Sequence, residues 1–160
     1  MNWMVIVNTK ACGGRAGRLW KHAEAALAAV GIEFTAKFTE APAQTRLLAS
    51  NASSLGFDGV AVYGGDGTVS DAAAAISALK NKPVLAFLPA GSGNDWFRSL
   101  GFENATVEDC AAAMAEGASK KVDTGLCLWS GGTRFFLNSA GVGFDALVLK
   151  RAVNSRRFLP

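Results

Sequence analysis

The sequence predicts a three-layer α/β fold in which a parallel sheet lies between two layers of helices. Short apolar segments alternate with longer amphipathic segments over residues 1–120. Two of the apolar segments have no polar face, which is typical of central strands in a parallel sheet. Glycine-rich turns that contain polar side chains follow these two segments directly. Strand and helix alternating in this rhythm indicate right-handed βαβ units and therefore a parallel sheet.

The first half of the chain predicts two strands, each followed by a helix. Trp3–Val7 is a short apolar strand. Arg15–Val30 carries apolar residues at helical spacing, which predicts a helix that ends at Gly31. Apolar residues alternate in Ile32–Phe38, so this segment predicts a strand with one buried face. A second helix is expected over about Pro42–Leu55, with proline in its first turn.

The next segments repeat this arrangement. Gly59–Tyr63 and Val84–Leu88 are apolar throughout and predict strands that are buried on both faces. Val69–Leu79 has the apolar spacing of a helix between them. A further helix is expected over Thr106–Gly117, because Thr106 and Asp109 have the spacing of a capping box.

The pattern changes after Lys120. Val122–Leu128 and Arg134–Asn138 predict an antiparallel hairpin around a turn at Ser130–Gly132. We therefore expect one α/β domain over residues 1–120, and the beginning of a β-rich second domain over residues 121–160.

Composition excludes several classes of function. A net charge of +3 is too small to indicate a nucleic-acid partner. No apolar run approaches the roughly 20 residues of a membrane span, and the N-terminus lacks a signal peptide, so a soluble cytoplasmic protein is expected. His22 is the only histidine, which excludes a histidine-based triad. The basic tail Arg156–Pro160 is interpreted as a solvated end. The cysteines are interpreted as reduced, buried thiols: Cys12, Cys110 and Cys127.

The turn Gly64–Thr68 is the first candidate site. Its glycines allow the backbone to approach a ligand closely, and the helix that follows favours phosphate at its N-terminus. Asp66 in this turn could contact Mg²⁺ or an attacking hydroxyl. The alternative is a tight turn in which Asp66 only caps the following helix.

Two further turns repeat this chemistry. Pro89–Asp95 follows the fourth strand and combines glycines with hydroxyl, amide and carboxylate groups. Asn94 and Asp95 have an alternative role as helix caps. The turn Asn8–Arg15 after the first strand is a weaker example. Ligands bind outside the carboxyl ends of parallel strands, so these turns predict a phosphate-binding site there.

These residues resemble the signatures of the diacylglycerol kinase family, which includes sphingosine and ceramide kinases and bacterial YegS/DgkB-like lipid kinases. Gly64–Thr68 matches the GGDGT signature, and Pro89–Asp95 resembles P-x-G-T-x-N-D with Ser92 in place of threonine. Asn8 matches the asparagine of an N-P-x-x-G opening, and 140–146 resembles the start of the family's second domain. The resemblance implies a Rossmann-like fold.

The resemblance also implies roles for individual residues. ATP and Mg²⁺ are the expected cofactors, and Asp66 is the expected catalytic residue. Ser70–Asp71 departs from the more usual Asn-Glu, which puts in doubt what the asparagine side chain would do here. The residues expected to bind the nucleotide are Asn8, Thr39, Gly64, Gly65, Asp66, Gly67, Thr68, Ser70, Ser92, Asn94 and Asp95. No metal ligand is assigned.

The implied reaction is transfer of the ATP γ-phosphoryl group to a lipid hydroxyl, with the lipid met transiently at a membrane surface. In the family, further metal-binding and catalytic residues follow in the second domain, so this chain by itself is expected to be inactive. Self-association would shield apolar residues of the second-domain segment, which allows a homo-oligomer.

Alternatives to this reading stay open. One is an enzyme of the NAD kinase type, which shares the GGDG core of the first signature. Another is a non-catalytic nucleotide-binding or regulatory module. Walker A chemistry is excluded because no GxxxxGK[ST] sequence occurs.

Overall fold

The structure, a computed structural model, describes residues 1–41, 43–90 and 93–156. A short 3₁₀ turn at Ala11–Gly14 precedes the first helix. The strands are β1 (Trp3–Val7), β2 (Phe34–Phe38), β3 (Gly59–Gly64), β4 (Val84–Pro89), β5 (Gly125–Trp129) and β6 (Gly132–Phe136). The helices are α1 (Arg15–Ala29), α2 (Gln44–Asn51), α3 (Asp66–Ser77), α4 (Asp95–Ser99), α5 (Val107–Ala115) and α6 (Phe144–Arg156).

Four strands form one parallel sheet in the order β2-β1-β3-β4. The two inner strands, β1 and β3, are buried at every position. The sequence predicted this for β3, whereas it predicted only a short apolar strand for β1. Because all four strands run in the same direction, the turns that follow them meet at one edge of the sheet. The predicted three-layer α/β fold is confirmed.

Alternating side chains of β1 separate two hydrophobic clusters. Val5 and Val7 face α1 and α5, in a cluster that contains the buried residue Trp20. Met4 and Ile6 point to the other face and pack in the cluster formed by α2 and α3. Because side chains of a strand alternate between its two faces, successive residues of β1 pack against opposite helix layers.

The prediction that β4 is buried on both faces was wrong, and β2 is also more exposed than its alternating pattern indicates. Val84 at the start of β4 is 40% exposed, and Phe38 at the end of β2 is 52% exposed. Both strands lie at the edges of the sheet, and edge position cannot be read from an apolar segment alone. α2 ends at Asn51, earlier than expected, and its predicted first residue Pro42 lies outside the described residues.

The second-domain segment forms the predicted antiparallel hairpin, with β5 and β6 displaced by two to three residues from the expected limits at most of their ends. The hairpin lies against the helix layer formed by α2 and α3. β6 contacts α3, and Leu137, directly after β6, packs on the α2–α3 cluster. α6 was not predicted. The solvated end predicted for Arg156–Pro160 cannot be compared, because 157–160 lie outside the described residues. The division into domains at residues 120 and 121 stays a prediction.

The predicted capping box at the start of α5 is present. The Thr106 hydroxyl accepts a hydrogen bond from the Asp109 amide at 3.2 Å, and the Thr106 amide donates to the Asp109 carboxylate at 2.8 Å. These hydrogen bonds with Thr106 hold the pKa of Asp109 below its usual value.

We expect Thr106→Ala to destabilise the chain by about 1 kcal/mol at neutral pH, a typical cost for loss of an N-cap. A carboxyl group with a lowered folded pKa stabilises above its unfolded pKa and loses that effect as the pH falls through the folded value. The difference between wild type and Thr106→Ala in urea unfolding should therefore shrink as the pH falls below about 4. An equal difference at pH 7 and pH 2 would contradict this account.

Candidate functional site

The centre of the site lies where β1 and β3 end side by side. The helices that follow them leave on opposite faces of the sheet, α1 on one and α3 on the other. Such a reversal opens a crevice at the carboxyl edge of a parallel sheet. The turn after β1, which gave the weaker signal in the sequence, is therefore central, because the crevice opens between β1 and β3.

Asn8 joins the first turn to the GGDGT turn. Its backbone amide donates to the Tyr63 carbonyl oxygen at 3.0 Å, and its Nδ2 donates to Thr68 Oγ1 at 2.9 Å. Its Oδ1 accepts from the Lys10 amide at 3.2 Å. The side chain is fixed by these contacts, so Asn8 sets the distance between the two turns.

Two glycines of the GGDGT turn, Gly64 and Gly67, lack a side chain for different structural reasons. A Cβ on Gly64 would lie 2.9 Å from Thr68 Oγ1, so this position has no room for a side chain. A Cβ on Gly67 would meet nothing within 4 Å. Gly67 lies in the first turn of the 12-residue helix α3, where the partial positive charge of the helix favours an anion. The space beside Gly67 is thus available to a ligand.

Asp66 links this turn to the turn after β4. Its Oδ1 accepts a hydrogen bond from the Trp96 amide at 3.0 Å. Asp66 therefore caps α4, whereas the alternative reading from sequence had it capping the helix that follows it directly. A Cβ on Gly93 would lie 3.2 Å from Asp66 Oδ2, so glycine allows the two turns to approach closely.

Two cavities open along this edge of the sheet. The smaller has a volume of about 310 Å³ and lies between the turns that follow β1, β3 and β4. Its lining residues are Asn8, Ala11, Cys12, Gly65, Asp66, Gly67, Thr68 and Gly93. The larger, of about 500 Å³, extends towards β2 and the hairpin; it is lined by Asn8, Lys10, Thr39, Glu40, Ala41, Thr45, Gly67, Thr68, Ser70, Asp71 and Arg134. Three residues, Asn8, Gly67 and Thr68, line both.

The structure brings most of the predicted site residues together. Those that line a cavity are Asn8, Thr39, Gly65, Asp66, Gly67, Thr68 and Ser70. Gly64 stands behind them, where its carbonyl oxygen accepts from the Ala90 amide at 2.8 Å. Asn94 and Asp95 begin α4 and line neither cavity, and Asp95 forms an ion pair with Arg98. Ser92 lies outside the described residues.

Sequence reasoning missed Thr45 and Arg134. Thr45 lies in the first turn of α2 and becomes part of the site only because β2 is next to β1. Arg134 comes from β6, sixty-three residues after Asp71 of α3 in sequence, and reaches the cavity through the packing of the hairpin. Neither position has a local motif that could have identified it.

The prediction that all three cysteines are buried is confirmed only for Cys110. The described cysteines are free thiols, of which Cys110 is buried, Cys127 is half-buried and Cys12 is exposed. Burial raises the pKa of Cys110 to about 12, so its thiol stays neutral in the folded chain. Cys12 is exposed because its turn follows a strand end at the mouth of the smaller cavity and adopts a positive φ of 53°.

A nucleotide and a divalent cation place different demands on these residues. The glycine turn, the helix N-terminus and the open space at Gly67 fit a phosphate chain. For Mg²⁺, the smaller cavity offers the single carboxylate of Asp66. In residues 1–41, 43–90 and 93–156, no group of three or more histidine, cysteine or acidic side chains is arranged to hold a metal. None of the helices in these ranges is long and apolar enough to cross a membrane.

Comparison with known proteins gives consistent results. The diacylglycerol kinase catalytic domain family matches residues 2–127. A diacylglycerol kinase of Mycobacterium tuberculosis is 34% identical over 113 residues, which are 69% of this chain and 36% of that protein. A diacylglycerol kinase of Bacillus subtilis is 28% identical over 113 residues, covering 71% of this chain and 36% of that protein.

Solved structures agree with this result. A crystal structure of a diacylglycerol kinase from Bacillus anthracis superposes on 82% of this chain and 47% of its own, with a TM-score of 0.67 and 28% identity. The chain thus spans about a third of the length of its curated relatives and about half of that crystal structure. The match over residues 2–127 shows that the chain belongs to the diacylglycerol kinase catalytic domain family.

Proposed function

We propose that this chain binds ATP at the carboxyl edge of its parallel sheet and forms the nucleotide-binding part of a lipid kinase. The observation that supports this most is the hydrogen bond between Asn8 and Thr68, which fixes two phosphate-type turns against each other beside an open helix N-terminus. The transferred group is the γ-phosphoryl group of ATP. The acceptor is a lipid hydroxyl of the diacylglycerol kind, the lipid named in the relatives' descriptions.

The proposed mechanism relies on position and charge, because phosphoryl transfer needs few covalent steps from the protein. The backbone around Gly65 and Gly67 approaches the phosphates, and the N-terminus of α3 favours their negative charge. Asp66 stands where a carboxylate can orient a phosphate-bound cation or the attacking hydroxyl. Mg²⁺, when bound, neutralises charge on the phosphates as they react.

Asp66 also connects the glycine turn to the segment that follows β4. Because its Oδ1 accepts a hydrogen bond from the Trp96 amide, Asp66 ties the start of α4 to the glycine turn. In sequence, Ser92 falls between β4 and α4, and its hydroxyl is proposed to bind the nucleotide where the family has threonine. Thr39 and Ser70 line the larger cavity and are proposed to contact the nucleotide there.

A non-catalytic nucleotide-binding module is the second candidate, favoured by the single carboxylate, Asp66, that lines the smaller cavity. We propose that the acceptor site lies with the second domain, and that the chain acts in the cytoplasm and meets its lipid at a membrane surface. Under either candidate the 160-residue chain is expected to bind ATP and to transfer no phosphate by itself.

The test combines calorimetric ATP binding with a radiolabelled-ATP assay on mixed micelles that contain diacylglycerol. Absence of ATP binding would contradict the proposal. Transfer by the 160-residue chain would contradict its expected inactivity and would establish the kinase reaction. Where the natural polypeptide is longer, lipid phosphorylation that stops in Asp66→Asn favours the kinase, and ATP binding without transfer favours the module.

A further inference from the structure

One carboxylate beside the larger cavity is shared by two guanidinium groups. Asp71 Oδ1 accepts a hydrogen bond from Arg46 Nε at 3.0 Å and another from Arg134 Nη2 at 3.1 Å. Asp71 belongs to α3, Arg46 to α2 and Arg134 to β6. This cluster joins the hairpin to the helix layer that carries the GGDGT turn.

The cluster carries more positive than negative charge. Two guanidinium groups face one carboxylate in this cluster. Lys10 and Glu40, which line the same cavity, add one charge of each sign, and Lys10 Nζ donates to the backbone carbonyl oxygen of Glu40 at 2.8 Å. Arg46 Nη2 is a buried donor that lies 3.0 Å from Asp71 Oδ1 without the geometry of a hydrogen bond. The cluster therefore has cationic donors that Asp71 does not satisfy.

The ion pair between Asp71 and Arg134 is suited to exchange. The Arg134 side chain is 56% exposed and that of Asp71 is 26% exposed. Ion pairs this open to water contribute about 0–1 kcal/mol, so the pair is held weakly. A phosphate chain offers a guanidinium more charge and paired acceptors, which makes it a stronger partner than one carboxylate oxygen.

We propose that Arg134 is a phosphate-binding residue of the larger cavity, supplied by the hairpin and held near it by Asp71 until a nucleoside triphosphate arrives. On binding, Arg134 exchanges Asp71 Oδ1 for phosphate oxygens, so the hairpin becomes attached to the nucleotide. This inference rests on the proposed function, because it takes the ligand of the cavity to be ATP. It adds a binding residue from outside the parallel sheet, and a competition for it.

The test compares ATP affinities of the 160-residue chain and its variants by calorimetry. Arg134→Gln should weaken ATP binding about tenfold, the scale of one lost charge-assisted hydrogen bond. Asp71→Asn removes the competitor for Arg134, so its affinity should equal or exceed that of wild type. A merely structural ion pair predicts that both variants weaken binding. Lys82→Gln removes the same charge at the opposite edge of the sheet and serves as the matched control.

The outcomes separate this inference from the proposed function. If wild type binds ATP and Arg134→Gln binds it equally well, or if Asp71→Asn is weakened like Arg134→Gln, the inference is overturned. If wild type binds no ATP, the proposed function itself fails. Thermal unfolding shows whether each variant is folded. Should Arg134→Gln not fold, Arg134→Lys, which keeps the charge but not the fork of donors, replaces it with the same expected weakening.

Discussion

Asp66→Asn is expected to lower phosphoryl transfer by two orders of magnitude or more in a polypeptide that shows the activity. That factor corresponds to about 3 kcal/mol of lost transition-state stabilisation. The amide keeps an oxygen that can accept from the Trp96 amide, so the link between the two turns survives. The negative charge does not survive, and this is the property that a cation or an attacking hydroxyl needs.

The measurement is the rate of lipid phosphorylation at saturating ATP, together with thermal unfolding of each protein. Asp58→Asn is the matched control, because Asp58 Oδ2 accepts from the Asn2 amide at the amino edge of the sheet, away from the site. We expect the control to keep its rate. Normal turnover in Asp66→Asn would reduce Asp66 to a cap of α4 and would remove it from the mechanism.

Gly67→Ala is expected to weaken ATP binding at least tenfold while leaving the fold intact. A Cβ at this position meets no atom within 4 Å, and alanine is favoured over glycine in a helix by roughly 1 kcal/mol. Stability should therefore stay constant or rise. The same Cβ projects into the space that the phosphates are proposed to occupy, so only the ligand is displaced.

Calorimetric ATP titration and urea unfolding of the same samples test this separation. Gly64→Ala serves as a contrast, because its Cβ would lie 2.9 Å from Thr68 Oγ1 and should disturb both stability and binding. Unchanged ATP affinity in Gly67→Ala would place the phosphates elsewhere.

The sequence was sufficient to predict the strands and most residues of the candidate site, because the patterns that identify them are local. An apolar segment without a polar face indicates a buried strand, and β3 is buried at every position as expected. The glycine turn and the capping box of α5 are also defined within a few residues. Interactions between residues that are close in sequence are enough to identify these features.

The exposure of the edge strands and the long-range hydrogen bonds of the site depend on which helices and strands become neighbours. No local pattern shows that β2 and β4 are edge strands, so the exposure of Phe38 and Val84 was not foreseen. The bond from Asp66 to Trp96 spans thirty residues, and that from Asp71 to Arg134 spans sixty-three. Contacts of this kind follow from the packing of the helices and the hairpin on the sheet.

ATP is proposed to bind across the turns after β1, β3 and β4. A crystal structure of the chain with a non-hydrolysable ATP analogue tests this proposal most directly. We expect phosphate density beside Asn8 and Gly65–Thr68, bounded on one side by Gly93. Analogue density at another place, with these turns empty, would contradict it.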